Sequence, residues 1–240
     1  MTFSEELRKV FLSCGLTHLL TPAREQQFER LAAILAKKNK QFNLTAVTDE
    51  HGIIYQHFAD SLTAASLIPD GAKVIDVGCG GGFPSLPLAI VRPDLRITGL
   101  DSTAKKIEYV KEAAQELGLS NLDAICARAE DAGHMHGRRE SFDVAIARAV
   151  AELRVLSELC LPLVKPGGVF LAMKSRRAEE ERADAESAIT RLGGKIERFE
   201  CFSIDDGEEK LERVNILVRK TRSCDATFPR PYPQILRRKL

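Results

Sequence analysis

The sequence predicts an α/β protein with a doubly wound, mainly parallel seven-stranded sheet, an antiparallel edge hairpin and an N-terminal helical extension. Three observations predict it. Up to about residue 70 the apolar spacing is helical, whereas beyond Pro69-Asp70-Gly71 short β-branched runs alternate with amphipathic stretches. That alternation is the pattern of parallel strands joined by crossover helices. Near the carboxyl end, two more strand-like runs flank an acidic turn from Asp205 to Glu209, as in a hairpin.

In the amino-terminal part, Phe28, Leu31, Ile34 and Leu35 share one helical face. Ile54, Phe58, Leu62 and Ala65 share another, after Thr48-Asp49-Glu50, which suits a helix start. KVIDVG, RITGLD, DAICA, FDVAIA and GVFLAMK then read as five buried strands, with Lys105 to Leu117 and Ala151 to Val164 as crossover helices. KIERFECFSI and RVNILVRK form the hairpin. Residues 1–70 are therefore read as a helical extension packed on the core, 71–220 as the ligand-binding core and 221–240 as a basic tail.

At 240 residues the chain can bury an ample core. With 44% hydrophobic and 29% charged residues and a net charge of +1, its composition is that of a soluble globule and names no partner. The amino terminus lacks a signal-peptide pattern and no apolar run approaches the roughly 18 residues of a membrane span, so a cytoplasmic location and no membrane partner are expected. The six cysteines are far apart, without a C-x-x-C pair or a histidine cluster, so reduced thiols and no metal are expected.

The most informative stretch is VIDVGCGGGFPSLPLAI, residues 74 to 90. Gly78, Gly80 and Gly82 follow a strand that ends in an acid, Asp76. Glycines there take backbone angles closed to other residues and let a ligand touch the main chain. A helix starting near Pro84 would offer free amides. A flat, nucleoside-bearing ligand fits such a turn. The spacing is G-x-G-x-G rather than the dinucleotide G-x-G-x-x-G, yet Asp101, which closes the next strand, suits the ribose hydroxyls of either an NAD or an S-adenosylmethionine site. After the third strand, Ala129-Glu130-Asp131 places a short side chain and acids where an adenine would lie. As a set, these features resemble the class I S-adenosylmethionine-dependent methyltransferases (Rossmann-like) over roughly residues 72 to 220.

The acceptor is narrowed by what the chain lacks. IARAVA stands where methyltransferases of exocyclic base amines commonly carry an Asn/Asp-Pro-Pro-aromatic motif. Cys160 in LCLPL reads as a buried helix residue rather than a nucleophile. NLTAV at 43–47, HFADSL at 57–62, the glycine stretch with Phe83-Pro84 and Pro87-Leu88, LDSTAKK at 100–106, ARAE at 127–130, IARAVA at 146–151 and MKS at 173–175 together resemble the bacterial small-subunit ribosomal RNA methyltransferase G family, also called glucose-inhibited division protein B. The resemblance runs from about residue 25 to the carboxyl terminus.

This resemblance implies methyl transfer from S-adenosylmethionine to N7 of one guanosine in 16S rRNA, on the small ribosomal subunit or its assembly precursor; a monomer is expected. Guanine N7 has an in-plane lone pair and no proton, so no general base, and no catalytic residue, is assigned. Orientation alone can contribute about 7–11 kcal/mol. By resemblance the cofactor pocket includes Gly78, Phe83, Ala129, Glu130 and Arg148; the physical argument adds Gly80, Gly82 and Asp101. Phe83 packs on the cofactor or closes the turn as a core residue. Arg148 holds the cofactor carboxylate, the RNA backbone or a structural ion pair.

For RNA, the candidates are Asn43, Lys174 with its neighbours Arg176 and Arg177, and Arg230. Asn43 and His57 also suit capping or packing roles. The tail sets Arg219, Lys220, Arg222, Arg230, Arg237, Arg238 and Lys239 against the single acid Asp225, with Phe228 and Tyr232 between them. That mixture suits phosphate contact with base stacking, or a solvated terminus. The tail departs from the family's usual Tyr-Pro-Arg and Lys-Pro-Leu phrases, and Ser85 stands where glycine is frequent. A methyltransferase of the same fold for a small molecule or protein, and a non-catalytic nucleotide- or RNA-binding module, are the alternative readings.

Overall fold

The computed structural model of the chain describes residues 2–176, 178–205, 210–238 and 240. Arg177, Lys239 and the expected acidic turn beyond Asp205 lie outside the described residues. Seven strands form one sheet: β1 (Lys73–Val77), β2 (Arg96–Asp101), β3 (Leu122–Cys126), β4 (Phe142–Arg148), β5 (Val164–Ser175), β6 (Gly194–Asp205) and β7 (Lys210–Lys220). Their order is β3-β2-β1-β4-β5-β7-β6. The first five pair in parallel, and β7 is antiparallel to both β5 and β6. The hairpin therefore joins the sheet through its second strand, and the order reverses between β1 and β4, where a crevice opens at the carboxyl ends.

The side-chain period of two splits each strand between two cores. Val74, Ile97, Val144, Ile146 and Leu171 face α1 (Phe3–Ser13), α2 (Pro22–Phe42), α5 (Ser85–Val91) and α6 (Ala104–Glu116). Ile75, Val77, Ala145, Phe170 and Ile216 face α8 (Leu153–Cys160) and α9 (Ala178–Arg191). The amino-terminal helices thus belong to the first core. Phe28 is fully buried, edge-on to Phe11 at 5.5 Å, and truncating such a ring costs about 3–5 kcal/mol.

Local chemistry sets the helix starts. Thr2 and Glu5 form a capping box on α1, and Thr21 caps α2 ahead of Pro22. Asp49 caps α3 (Glu50–Gly52), accepting from the Gly52 amide at 2.7 Å. The chain then widens into a π-helical stretch, Ile53–Ala59, before α4 (Asp60–Leu62). Ile54, Phe58, Leu62 and Ala65 are all buried as their spacing implies, but Ala65 falls in a separate 3₁₀ turn. The helix expected over 151–164 is shorter: α8 starts at Leu153, and residues 161–163 are 3₁₀ around Pro162, whose nitrogen cannot donate.

The tail departs most from a solvated terminus. Arg139 donates to the carbonyls of Phe228 (2.6 Å), Asp225 (2.9 Å) and Cys224 (3.2 Å). Ile235 in α10 (Tyr232–Arg237) is fully buried beside Val155 and Leu159. Lys220, counted among the tail's basic residues, has no exposed surface and donates to the Leu161 carbonyl at 2.7 Å and Cys224 Sγ at 2.9 Å, with Glu140 at 3.2 Å.

Candidate functional site

Behind β1 the chain turns through Gly78, Gly80 and Gly82, with φ of +78°, +55° and +83°. The Gly78 and Cys79 amides donate to the Leu100 carbonyl, tying the turn to β2. A side chain at Gly78 would strike Val150 Cγ2 at 2.6 Å, and one at Gly82 would strike Leu86. At Gly80 the nearest atom to an added Cβ is the Gly78 carbonyl oxygen, 3.8 Å away. Two glycines therefore serve close packing, and Gly80 presents bare backbone to open space.

Asp101 closes this half of the crevice. Its Oδ2 accepts from the Gly80 amide at 3.1 Å and its Oδ1 from the Thr103 amide at 2.8 Å. Each carboxylate oxygen keeps a further lone pair. Beneath it Asp76 is fully buried; its Oδ2 accepts from the Ser85 hydroxyl at 2.5 Å and amide at 3.2 Å, while Oδ1 has no partner. Burial pushes the Asp76 carboxyl up to about 6, against the Ser85 hydrogen bonds. The Ser85 departure noted in the sequence is thus a hydroxyl spent on that carboxylate. Ala129 and Glu130 open the short helix α7 (Ala129–Ala132), with Glu130 largely buried and 3.9 Å from Arg128. The residues present fit an S-adenosyl group: open glycine backbone, a strand-end carboxylate with lone pairs to spare and a part-buried Ala-Glu edge.

Across the switch point, charges are paired with one another. Arg148 at the end of β4 donates to Asp60 Oδ2 at 3.0 Å and the Gln56 carbonyl at 2.9 Å, while Arg213 of β7 donates to Asp60 Oδ1 at 2.9 Å. The Asp60 side chain is 7% exposed. Arg148 Nη2 also lies 3.4 Å from His57 Nδ1. A guanidinium only donates, so that nitrogen is the acceptor, and Nε2–H donates to Thr45 Oγ1 at 2.7 Å. Burial first, and Arg148 second, hold His57 down at about 4, so the ring is neutral. It stacks on Phe83 at 4.5 Å, and the Arg148 guanidinium lies 5.5 Å from the same ring. Phe83 is 6% exposed and packs in the first core. The phrases NLTAV, HFADSL, GGGFP and IARAVA, separate in the sequence, therefore meet around Arg148.

Lys174 donates to the Ala151 carbonyl at 2.8 Å and to Glu181 at 2.7 Å, and Glu181 also accepts from the Leu153 amide at 2.5 Å. These contacts pin the loop after β4, where Ala149 takes φ +56°. Together Arg148, Lys174, Arg213, Asp60, His57 and Asn215 line a cavity of about 410 Å³. Among the expected RNA contacts, Lys174 is thus spent within the crevice, and Arg230 is committed to Glu158, to which it donates from Nε at 2.8 Å and Nη2 at 2.7 Å. Glu158 is 1% exposed, so a buried carboxylate holds the Arg230 guanidinium. Arg176 is exposed, 3.7 Å from Glu212. Asn43 is exposed and ends α2 in the left-handed conformation, φ +49°. Asp60, Glu181, Arg213 and Asn215 went unread as site residues; only the HFADSL phrase signalled any of them.

Known proteins place this geometry. A family model described as rRNA small subunit methyltransferase G matches residues 24–211. Proteins named ribosomal RNA small subunit methyltransferase G from Geobacillus thermodenitrificans and Staphylococcus carnosus are 45% and 43% identical to the chain, covering 85% and 88% of it and 86% and 88% of themselves. Among solved structures, M. jannaschii TYW2 in complex with AdoMet aligns with a TM-score of 0.53 at 17% identity, over 67% of this chain and 74% of its own. A SAM-dependent methyltransferase from Methanosarcina mazei aligns at 0.51 and 16%, over 66% and 97%. The two structures share the fold, and the family match and close relatives carry the rest: the chain belongs to the rRNA small subunit methyltransferase G family.

Proposed function

We propose that the protein transfers the methyl group of S-adenosylmethionine to N7 of one guanosine in 16S rRNA, in the cytoplasm and as a monomer, on the small subunit or its assembly precursor. Family membership supports the rRNA acceptor. One observation carries the atom: each acid or base beside the 410 Å³ cavity is already engaged. Asp60 sits between two guanidiniums, His57 Nδ1 faces Arg148, and Lys174 is held by Glu181. A cavity whose lining acids and bases are engaged suits an acceptor atom that carries a lone pair and no proton, as guanine N7 does.

S-adenosylmethionine, when bound, supplies an electrophilic methyl on a sulfonium. The Gly80 backbone and Asp101 would hold its nucleoside, with Gly78, Gly82, Ala129 and Glu130 shaping the pocket and Arg148 and Phe83 closing it toward the acceptor. The chain's own task is orientation and exclusion of water. The dispersal of exposed large apolar side chains over separate segments (Leu12, Phe42, Met135, Val150 and Leu236, among the described residues) supports a monomer. No helix of the described residues is long and apolar enough to cross a membrane.

The test is methyl transfer from tritium-labelled S-adenosylmethionine to small subunits from cells lacking the gene, followed by nucleoside mass spectrometry. The expected product is 7-methylguanosine in 16S rRNA. Label on another nucleoside, or none, refutes the reading.

A further inference from the structure

We propose that Phe42 and Lys105 form the surface on which an unpaired stretch of rRNA docks beside the crevice, a base on the ring and a phosphate on the ammonium group. This rests on the rRNA reading above and assigns it a surface, which is needed because two expected RNA contacts, Lys174 and Arg230, are consumed by Glu181 and Glu158.

Phe42 is the last residue of α2 and is 39% exposed, an aromatic ring left in solvent by a helix whose other face is core. Lys105 Nζ lies 5.6 Å from the centre of that ring. The chain leaves Phe42 straight into the glycine turn: the Leu44 carbonyl oxygen lies 3.5 Å from where a side chain on Gly81 would begin. On the other side, Lys105 stands four residues beyond Asp101, in the first turn of α6. Ring and ammonium thus sit on the rim of the cofactor crevice.

Beyond the Phe42 ring, no acid among the described residues pairs with Lys105. Lys105 and Lys106 occupy the first turn of α6, which holds no acid, at the helix end where amides and dipole disfavour cations. A cation beside an exposed aromatic is the chemistry that single-stranded nucleic acid requires, because stacking needs an unpaired base and the lysine needs its phosphate.

The full-length protein and its Phe42→Ala, Phe42→Tyr and Lys105→Glu variants are compared in methylation of unmethylated small subunits. Phe42→Ala and Lys105→Glu are each expected to raise KM for the particle about tenfold, while Phe42→Tyr stays near wild type. S-adenosylmethionine affinity by calorimetry should not change. With naked 16S rRNA, Lys105→Gln should reduce the slope of log K against log salt by about one. Unchanged KM and salt slope in variants of an active enzyme overturn the surface and leave the rRNA reading intact. Loss of cofactor affinity overturns it too, by moving these residues into the cofactor site. A wild-type protein that labels no rRNA refutes the underlying reading and the surface with it.

Discussion

The two halves of the crevice satisfy their polar groups in opposite ways. On the β1–β2 side, Asp101 is held by two backbone amides and the Gly80 main chain faces open space. On the β4–β5–β7 side, Arg148, Arg213, Lys174, Asp60 and Glu181 are held by one another. Backbone holds one half, so a ligand can arrive without displacing a partner. Ion pairs hold the other, so their loss is first a loss of stability. The difference teaches that a substitution in the first half should read out as affinity, and one in the second as unfolding.

The comparison breaks most visibly at Asp60. Asp60→Ala removes a buried carboxylate from between two part-buried guanidiniums and is expected to cost about 3 kcal/mol, measured by urea denaturation. A loss below 1 kcal/mol would mean that the pairs contribute little to folding. Asp101→Ala should do the reverse, keeping the urea midpoint close to wild type while weakening S-adenosylmethionine by about 2 kcal/mol, roughly thirtyfold in Kd by calorimetry. Equal affinity would remove Asp101 from the cofactor pocket.

The dependence on pH sharpens the contrast, because the two halves titrate against each other. Asp76, raised from 3.8 to about 6, holds in the folded state a proton that the unfolded chain releases between those values, so its contribution to stability falls as pH rises through that window. His57, lowered from 6.5 to about 4, refuses a proton that the unfolded chain takes up, so its contribution rises with pH between those values. Between about pH 4 and 6 the slopes oppose. Urea midpoints across that range should climb more steeply with pH in Asp76→Asn than in wild type, and less steeply in His57→Gln. Parallel profiles for all three would show that neither group carries its shift. The smallest effect is expected at Gly80→Ala, about 1 kcal/mol of stability from a side chain at positive φ, with a larger loss of cofactor affinity; Gly82→Ala, which meets Leu86, should lose more stability. Tm and Kd, measured together, separate the two.

Much of this was legible because the sheet is buried on both faces. KVIDV, FDVAIA and GVFLAM can satisfy their apolar density only as interior strands, and the glycine phrase at the end of the first fixes the crevice. Two helices escaped the sequence reading for different reasons. α1 carries a capping box, Thr2 with Glu5, but is short; α9 turns only Ala178, Ala185, Ala188 and Ile189 inward, a face too weak to register against its charges. The ion pairs escaped for a third reason. Asp60 and Arg213 are 153 positions apart, and nothing local in either segment announces the other. The sequence likewise offered Arg230 as an RNA contact and not as an ion-pair partner, because Glu158 lies on a helix 72 positions earlier.

The reversed strand β7 has a consequence for the order in which the protein comes into being. It is the last strand to be synthesised, yet it lies between β5 and β6 rather than at the border of the sheet. During translation β5 therefore presents an open flank until residue 220 has emerged, and the β6 segment, made first, waits for it. Asp60 and Arg148 exist long before Arg213 arrives to complete their cluster. Non-local closure of this kind is slow and leaves a strand edge exposed meanwhile, so a nascent chain stalled before β7 is the species most open to aggregation. Finishing the ion-paired side of the crevice and finishing the sheet are one event.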